Sequence, residues 1–408
     1  MKNYFYPPLP NIFLIKFAQC LTPVFICYFF QFEIRIDRES IEIIQSLNER
    51  RLLLLPNHPT FQDPIAIFAL SGKLKQKFYY LSAYELFQGL MTGIFQRLGV
   101  YSIRRGLVDR PSIAQTIEIL TQPNCRLVIF PEGGCSFQND TVMPFRAGAV
   151  QIAFQAMSKL AKQGEIPDLY VLPVSIKYRY TQDMQRVIRQ TLNRLEQALS
   201  IESSLKDYDR LQAIAQQVLV RMERDYGTYS PTKDELSWND RISLLRMHIL
   251  ESCEQQLGIS SNPKEPVRER TYRIEYVLKT QVDALESEAT AETETPTGDR
   301  TNKYSLIEKS IKRLLNFDAI YDGYVAENPT PERFLDTLTR LEREVFDIDK
   351  PPPKGYRHAR IKIGEPINLK DFFTEYQRDR ASTVNAVTLK VQQAVQQNLD
   401  LLTVVGNG

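Results

Sequence analysis

The sequence predicts an α/β domain with a largely parallel central sheet flanked by helices, and a large helical insertion before the closing strand. Three observations carry this. Up to about residue 180, short apolar runs alternate with amphipathic helical patterns. From 182 to 284 the chain reads as long helices with no convincing strand. A lone strand pattern then returns at 360–367, and the economical reading is that it rejoins the first sheet.

Taken in order, residues 12–30 are apolar and aromatic but carry Lys16, Gln19, Thr22 and Pro23. No small-residue cleavage site follows, so a signal peptide is not expected. A full span needs about 20 mainly apolar residues, and this segment only approaches that. Lys16, Gln19 and Pro23 fall near one helical face, leaving Phe13, Leu14, Phe17, Leu21 and Phe25 on a broad apolar face. The reading is an interfacial helix at a membrane surface, on the cytoplasmic side; the plainer alternative is a helix packed on the protein's own core. Residues 32–37 alternate apolar and charged, as a half-buried strand does. Apolar runs at 51–55, 78–81, 100–103, 126–130 and 170–176 suit central strands, with helical patterns at 64–70, 85–98, 112–120 and 147–162 between them. Leu86, Leu90, Ile94 and Leu98 form a stripe read as core.

Helical spacing continues through Val187, Ile188, Leu192, Leu195 and Leu199, then Leu211, Ile214, Val218 and Met222. Residues 286–302 are acidic and Thr-rich with almost no bulky apolar side chain, which reads as a disordered linker. Helical periodicity resumes at Leu306 and runs to Val345, until Pro351, Pro352 and Pro353 stop it. The expected organisation is a membrane-interface segment (1–31), the first part of an α/β domain (32–180), the helical insertion (181–355), and a closing strand with a C-terminal helix (356–408).

Composition narrows the function. A net charge of +2 gives no polyanion signature, so no nucleic-acid partner is expected. The five cysteines have no C-x-x-C spacing, which suits reduced thiols rather than a disulfide framework or a zinc site. Oligomeric state is not readable.

Four segments lie at or near predicted strand ends, where α/β sheets collect their chemistry. In Asn57-His58-Pro59-Thr60-Phe61-Gln62-Asp63 a histidine and a carboxylate stand five positions apart, directly after an apolar run. A carboxylate can hold one imidazole nitrogen as N–H and leave the other to take a proton from a hydroxyl. Arg104 and Arg105 follow the strand at 100–103; guanidinium forks suit phosphate or carboxylate. Phe130-Pro131-Glu132-Gly133-Gly134 ends a strand in a carboxylate and two glycines, which allow close backbone approach. Leu172-Pro173-Val174 is a strand with an internal proline.

These blocks, in this order, resemble the glycerolipid acyltransferase family, which includes lysophosphatidate and glycerol-3-phosphate acyltransferases. Ile363-Gly364-Glu365-Pro366-Ile367 resembles its closing strand. The resemblance covers roughly residues 30–180 and 356–400. It implies a place in phospholipid biosynthesis and a membrane lipid surface as partner, with acyl-CoA or acyl carrier protein as co-substrate and no metal or cofactor. His58 would be the general base and Asp63 would orient it. The acceptor hydroxyl would attack the acyl thioester directly, with no covalent acyl-enzyme. Asn57 lies in the first block. Arg105, with Arg104 beside it, would grip an acceptor phosphate; Glu132, Gly133 and Gly134 would line the acceptor site, and Pro173 matches the fourth block. Members that use lysophosphatidate often continue the third block with Thr-Arg-Ser, whereas this chain has Gly134-Cys135-Ser136, and Arg104 replaces a common aspartate. Arg146 is a candidate to compensate.

Plainer readings stand beside these. Asp63 before Pro64 is an ordinary helix start, with Asp as N-cap. Cys135 is either a reactive thiol or a small apolar filler. His248 and His358 receive no role. At the level of the whole protein, a catalytically silent lipid-binding scaffold of the same fold and an acyltransferase for a non-phosphorylated lipid alcohol remain open.

Overall fold

The long strand β6 (Leu169–Tyr180) organises the sheet. Its first half pairs in parallel with β2 (Arg51–Pro56), from Arg51 opposite Leu169 to Pro56 opposite Val174. Its second half, beyond the end of β2, pairs antiparallel with β7 (Arg357–Ile363), and its start pairs with the short β8 (Ile367–Asn368). The remaining strands are β1 (Phe32–Ile36), β3 (Tyr79–Ala83), β4 (Val100–Ile103) and β5 (Arg126–Val128), and the order is β1-β7-β6-β2-β5-β3-β4. The returning segment therefore rejoins the sheet, parallel to β1 and antiparallel to β6. Pro173 is buried where the partner of β6 changes from β8 to β7; its carbonyl accepts from Gly364 N at 2.8 Å. A missing N–H is tolerated at such a break in the ladder.

This computed structural model describes residues 5–404 apart from 88, 165, 203–205, 231–235, 290–297 and 318–319. Its helices in the sheet-bearing part are α1 (Ile12–Phe30), α2 (Arg38–Ser46), α3 (Asp63–Lys73), α4 (Thr92–Arg97), α5 (Arg110–Thr121) and α6 (Gly148–Ala161), then α13 (Phe373–Arg378) and α14 (Arg380–Val404). One apolar layer lies between the sheet and α5, α6 and α14, built on Leu53, Leu55, Leu127, Phe154 and Val391. The other covers the opposite face, with Leu52, Leu54, Ile67, Leu70 and Ile361. Successive β2 residues point to opposite faces, so a strand buried on both sides is apolar throughout.

Chain contacts divide the molecule into two units. The first comprises Met1–Ile103, Asp109–Asp183 and Gly355–Gly408; the second comprises Arg104–Val108 and Met184–Lys354. The second unit is helical: α7 (Gln185–Leu199), α8 (Asp207–Asp225), α9 (Trp238–Leu257), α10 (Val267–Ala289), α11 (Gly298–Asn316) and α12 (Pro331–Phe346). Leu192, Leu195, Ile214, Ile249, Ile274 and Leu338 are buried there. Arg241 pairs with Glu223 at 2.7 Å and Arg270 with Glu254 at 2.6 Å, each carboxylate meeting a guanidinium fork through two oxygens.

Three expectations are corrected. The acidic stretch 286–302 is helical at both of its ends, where α10 runs to Ala289 and α11 starts at Gly298; residues 290–297 lie outside the described residues. The helix expected over 85–98 is broken into short turns at Tyr84–Leu86 and Gly89–Met91 before α4. Gly89 at φ +67° supplies a left-handed residue that a continuous helix does not contain. The stripe read as core is instead on the surface: Leu86, Leu90 and Ile94 are exposed, Leu90 to 97%.

Candidate active site

Helix α1 is inverted relative to a soluble amphipathic helix. Ile15, Gln19, Thr22 and Ile26 face inward; Gln19 Nε2 donates to Ser71 Oγ at 2.9 Å and to Gln76 O at 2.8 Å. Gly72 lets α3 approach, since a Cβ there would meet Gln19 Cβ at 3.2 Å. Phe13, Phe17, Leu21, Val24, Phe25, Tyr28 and Phe29 are exposed, Phe13 to 87% and Tyr28 to 78%.

The candidate site gathers at the end of β2. Where β2 stops and β6 continues, side-chain amides take over the ladder. Asn57 is buried; its Nδ2 donates to Ile176 O at 3.0 Å and its Oδ1 accepts from Ile176 N at 2.7 Å. Asn139 repeats this two residues on, donating to Tyr178 O and accepting from Tyr178 N, both at 2.7 Å. An amide presents the donor and acceptor of a peptide group, so each replaces a missing strand residue.

His58 follows at once. Its backbone N donates to Glu132 Oε1 at 3.0 Å, and its carbonyl accepts from Ser136 N at 2.8 Å. The loop after β5 thus holds the histidine from both backbone ends. The imidazole packs on Phe130, ring centroids 4.4 Å apart, and its side chain is 14% exposed. His58 Nδ1 lies 2.7 Å from Asp63 Oδ2.

Asp63 is fully buried. Its Oδ2 also accepts from Thr60 N, and its Oδ1 accepts from Thr60 Oγ1 and from Tyr178 OH, each at 2.8 Å. The capping reading is overturned: the amides of Ile65 and Ala66 bond to the Gln62 carbonyl, and Gln62 occupies the cap position. With the carboxylate accepting, His58 carries its hydrogen on Nδ1, which turns Nε2 away from Asp63. Burial works against the charged ring. The Cys135 sulfur and the Asp63 carboxylate outweigh it, and the His58 pKa is held well above the ordinary imidazole value of 6.5. Burial and the neighbouring Asp63 push the Tyr178 phenol well above its usual range, so it serves Asp63 as a neutral donor.

Cys135 Sγ lies 3.6 Å from His58 Nε2 and 3.9 Å from Nδ1. Glu132 is buried, and Gly133 and Gly134 are half-buried. Gly133 has φ +74°, and a Cβ on it would fall 2.4 Å from Arg146 Cζ, so the Arg146 guanidinium lies directly on this glycine. Arg146 is tied back through its N to Pro131 O at 2.9 Å. Glu132, Gly133, Cys135 and Arg146 thus share one loop with the support of His58.

The arginines after β4 are grouped otherwise. Arg104 and Arg105 belong to the helical unit. Arg105 Nη2 is 3.5 Å from Glu275 Oε2, and its guanidinium lies over the Tyr272 ring at 4.0 Å. Gly106, at φ +75°, permits this docking: a Cβ would lie 2.5 Å from Arg273 N and 2.6 Å from Tyr272 C.

Tyr178, Asn139, Thr60 and Ser136 were not singled out from sequence. The Thr60-x-x-Asp63 spacing was a usable signal for Thr60. Tyr178 and Asn139 had none, since their contacts depend on β6 outrunning β2.

A histidine oriented by a buried carboxylate at the carboxyl end of a parallel strand is the arrangement of a candidate base-dependent site. A family model described as Acyltransferase matches residues 35–177, which contain His58, Asp63, the Glu132 loop and most of β6. This region of the chain is an acyltransferase domain, in keeping with the glycerolipid acyltransferases that its ordered motifs resemble, and the match supports an acyltransferase enzyme. No curated protein matches the chain.

Proposed function

We propose that this protein moves a fatty acyl group from acyl-CoA or an acyl carrier protein to a hydroxyl of a glycerolipid-like acceptor at a membrane surface. The observation that carries this reading is the His58–Asp63 pair at 2.7 Å, with Nε2 left as the proton-accepting nitrogen. His58 takes the proton of the acceptor hydroxyl, and the oxygen attacks the thioester carbonyl. Asp63 fixes the tautomer and stabilises the imidazolium that forms. Glu132, Gly133, Gly134 and Arg146 shape the acceptor side, while Asn57 and Pro173 hold the strands that frame it. The outward aromatic face of α1 and the exposed Leu90 and Met91 support a lipid surface as partner, and α1 is by length and composition able to cross a membrane. The leads into α1 and out of α4 are joined, Leu9 N to Gln96 O and Asn11 N to Arg97 O at 2.8 Å, so these apolar surfaces share one support.

A second reading concerns the acceptor. Arg105 faces Glu275 and Tyr272, and Gly134-Cys135 stands where a further arginine is common in lysophosphatidate users. These features favour a lipid alcohol without a phosphate. One assay separates the readings: the full chain with phospholipid vesicles, labelled acyl thioester and acceptors with and without phosphate. Acyl transfer abolished in His58→Ala supports the enzyme, and the preferred acceptor selects between the two. Unchanged turnover in His58→Ala overturns the base assignment.

A further inference from the structure

We propose that Phe61 and Phe137 form the contact for the hydrocarbon tail of the acceptor lipid and lead that lipid from the α1 surface to His58. This rests on the acyltransferase reading above and supplies the apolar side of its acceptor site.

The two rings meet edge to face, centroids 5.2 Å apart and planes at 76°. Each is delivered by one of the two segments that build the His58 site. Phe61 lies in the turn between His58 and Asp63. Thr60 bonds Asp63 through N and Oγ1 at 2.8 Å, and Gln62 N donates to Thr60 Oγ1 at 3.2 Å. The turn is thus held on both sides of Phe61, yet Phe61 itself is 41% exposed. Phe137 follows Ser136, which bonds the His58 carbonyl through N at 2.8 Å and Oγ at 3.4 Å. Gln138 and Asn139 come next, both buried; Gln138 N donates to Ser136 Oγ at 3.3 Å, and Asn139 is bonded to Tyr178. Phe137 between them is half-buried.

Phe137 has φ +50°. A bulky side chain is rarely held there, because its Cβ crowds the following carbonyl. The other non-glycine residues with positive φ among the described residues are all polar. Gln31, Ser200 and Asp347 close helices, and Lys75 and Asn124 lie in the short connections after α3 and α5. A phenylalanine has no polar group to favour this conformation locally. The bonds on either side of it sustain the strain, and the result is a ring standing against Phe61. Strain of this kind collects where a binding site is preformed.

The setting identifies the occupant. Arg357 N donates at 2.9 Å to the carbonyl of Gln31, the residue that caps α1, and Arg357 Nη2 donates to Gln62 Oε1 at 3.4 Å. One arginine therefore joins the end of α1, where Tyr28 and Phe29 are exposed, to the turn that carries Phe61. An acceptor lipid resides in the surface that α1 faces, whereas the donor's acyl chain arrives on a polar carrier. Aromatic rings offer that lipid a large apolar contact at small cost in side-chain freedom.

The test has a binding arm and a kinetic arm. In the first, the full chain on phosphatidylcholine vesicles is photolysed with a long-chain monoacylglycerol or its phosphate, each carrying a diazirine at mid-chain, and mapped by mass spectrometry. Label on the peptides holding Phe61 and Phe137, competed by the unlabelled lipid, is the expected result. Label that skips both peptides overturns the proposal. In the second arm, Phe61→Ala and Phe137→Gly are assayed with acyl-CoA and the same lipids as acceptors. Acceptor KM should rise roughly tenfold, with kcat and donor KM within about twofold of wild type. A short-chain acceptor should show no such rise, and Phe61→Leu should restore most of the loss. Glycine adopts φ +50° freely, so Phe137→Gly should keep its melting temperature while acceptor binding weakens. An unchanged acceptor KM, a rise confined to donor KM, or an equal rise with the short-chain acceptor overturns the tail contact. So does a melting temperature that falls together with kcat, which would make the pair structural. If wild type transfers no acyl group while both peptides are labelled, the acyltransferase reading fails and the lipid contact stands.

Discussion

The Tyr178 hydroxyl donates to Asp63 Oδ1 across 2.8 Å, joining residues 115 positions apart in the chain. It makes the far half of β6 a support for the His58–Asp63 pair. Tyr178 is itself braced: Arg357 lies over its ring at 4.7 Å and Phe32 meets it edge-on at 5.6 Å. Tyr178→Phe keeps that packing and removes one donor, at a cost of about 1–3 kcal/mol in Asp63's hold. We expect kcat to fall about tenfold with KM nearly unchanged. A change confined to KM would mean that Tyr178 acts on substrate binding.

The histidines give a second prediction, readable by NMR because the chain has three. His58 should titrate well above 6.5 and His358 below it, where burial and Arg35 disfavour its charge. Cys135→Ala and Asp63→Asn should each move His58 downward, since both neighbours raise it. The sign for stability follows. A raised folded pKa means protonated His58 stabilises the fold fully below its unfolded value, and this is lost as pH rises through the folded value. The base is competent when neutral, so activity should rise with pH over that same window.

Gly133→Ala tests the loop that carries Glu132 and Cys135. The left-handed backbone costs about 1–2 kcal/mol for a residue with a Cβ. The added methyl also displaces the Arg146 guanidinium, the movable end of a long side chain. The expected outcome is a folded protein by circular dichroism with a lowered kcat/KM. Wild-type kinetics would remove Arg146 from the acceptor side.

Asn57→Ala and Asn139→Ala should be destabilising rather than selectively inactivating. Each strands one N–H and one C=O of β6 in a buried setting, at about 1–3 kcal/mol per group. Urea denaturation should show the loss at both positions. A stable Asn57→Ala with altered acceptor preference would instead make Asn57 a substrate contact.

Replacing Phe13, Phe17 and Tyr28 by serine tests the lipid surface. These side chains face outward from α1, so the melting temperature should hold while co-sedimentation with anionic phospholipid vesicles drops. Retained vesicle binding would move the docking surface away from α1.

Much of the site was legible from local pattern. His58 and Asp63 are five residues apart beside a predicted strand end, so their meeting needs only a short turn into α3. The glycine pair after Glu132 reads as room for a substrate at the backbone, and in the structure the Arg146 guanidinium lies on Gly133. Arg105 was legible as a residue type but not in its partners, because Glu275 and Tyr272 come from the helical region. The exposed Leu86–Leu90–Ile94 stripe misled for a related reason: a helical period says which residues share a face, not whether that face meets protein or another medium.

The sequence by itself determined the alternation of strands and helices, the return of the closing strand, the order of the acyltransferase motifs and the histidine proposed as the base. Periodicity and short spacings are local, and local geometry follows from them. Only the tertiary structure decided that β6 runs past the end of β2. From that follow the Asn57 and Asn139 ladder contacts and the Tyr178 bond to Asp63; the loop after β5 separately sets Cys135 against His58 through Glu132 and Ser136. Those contacts join residues from 39 to 119 positions apart, so they exist only once neighbouring strands are in register.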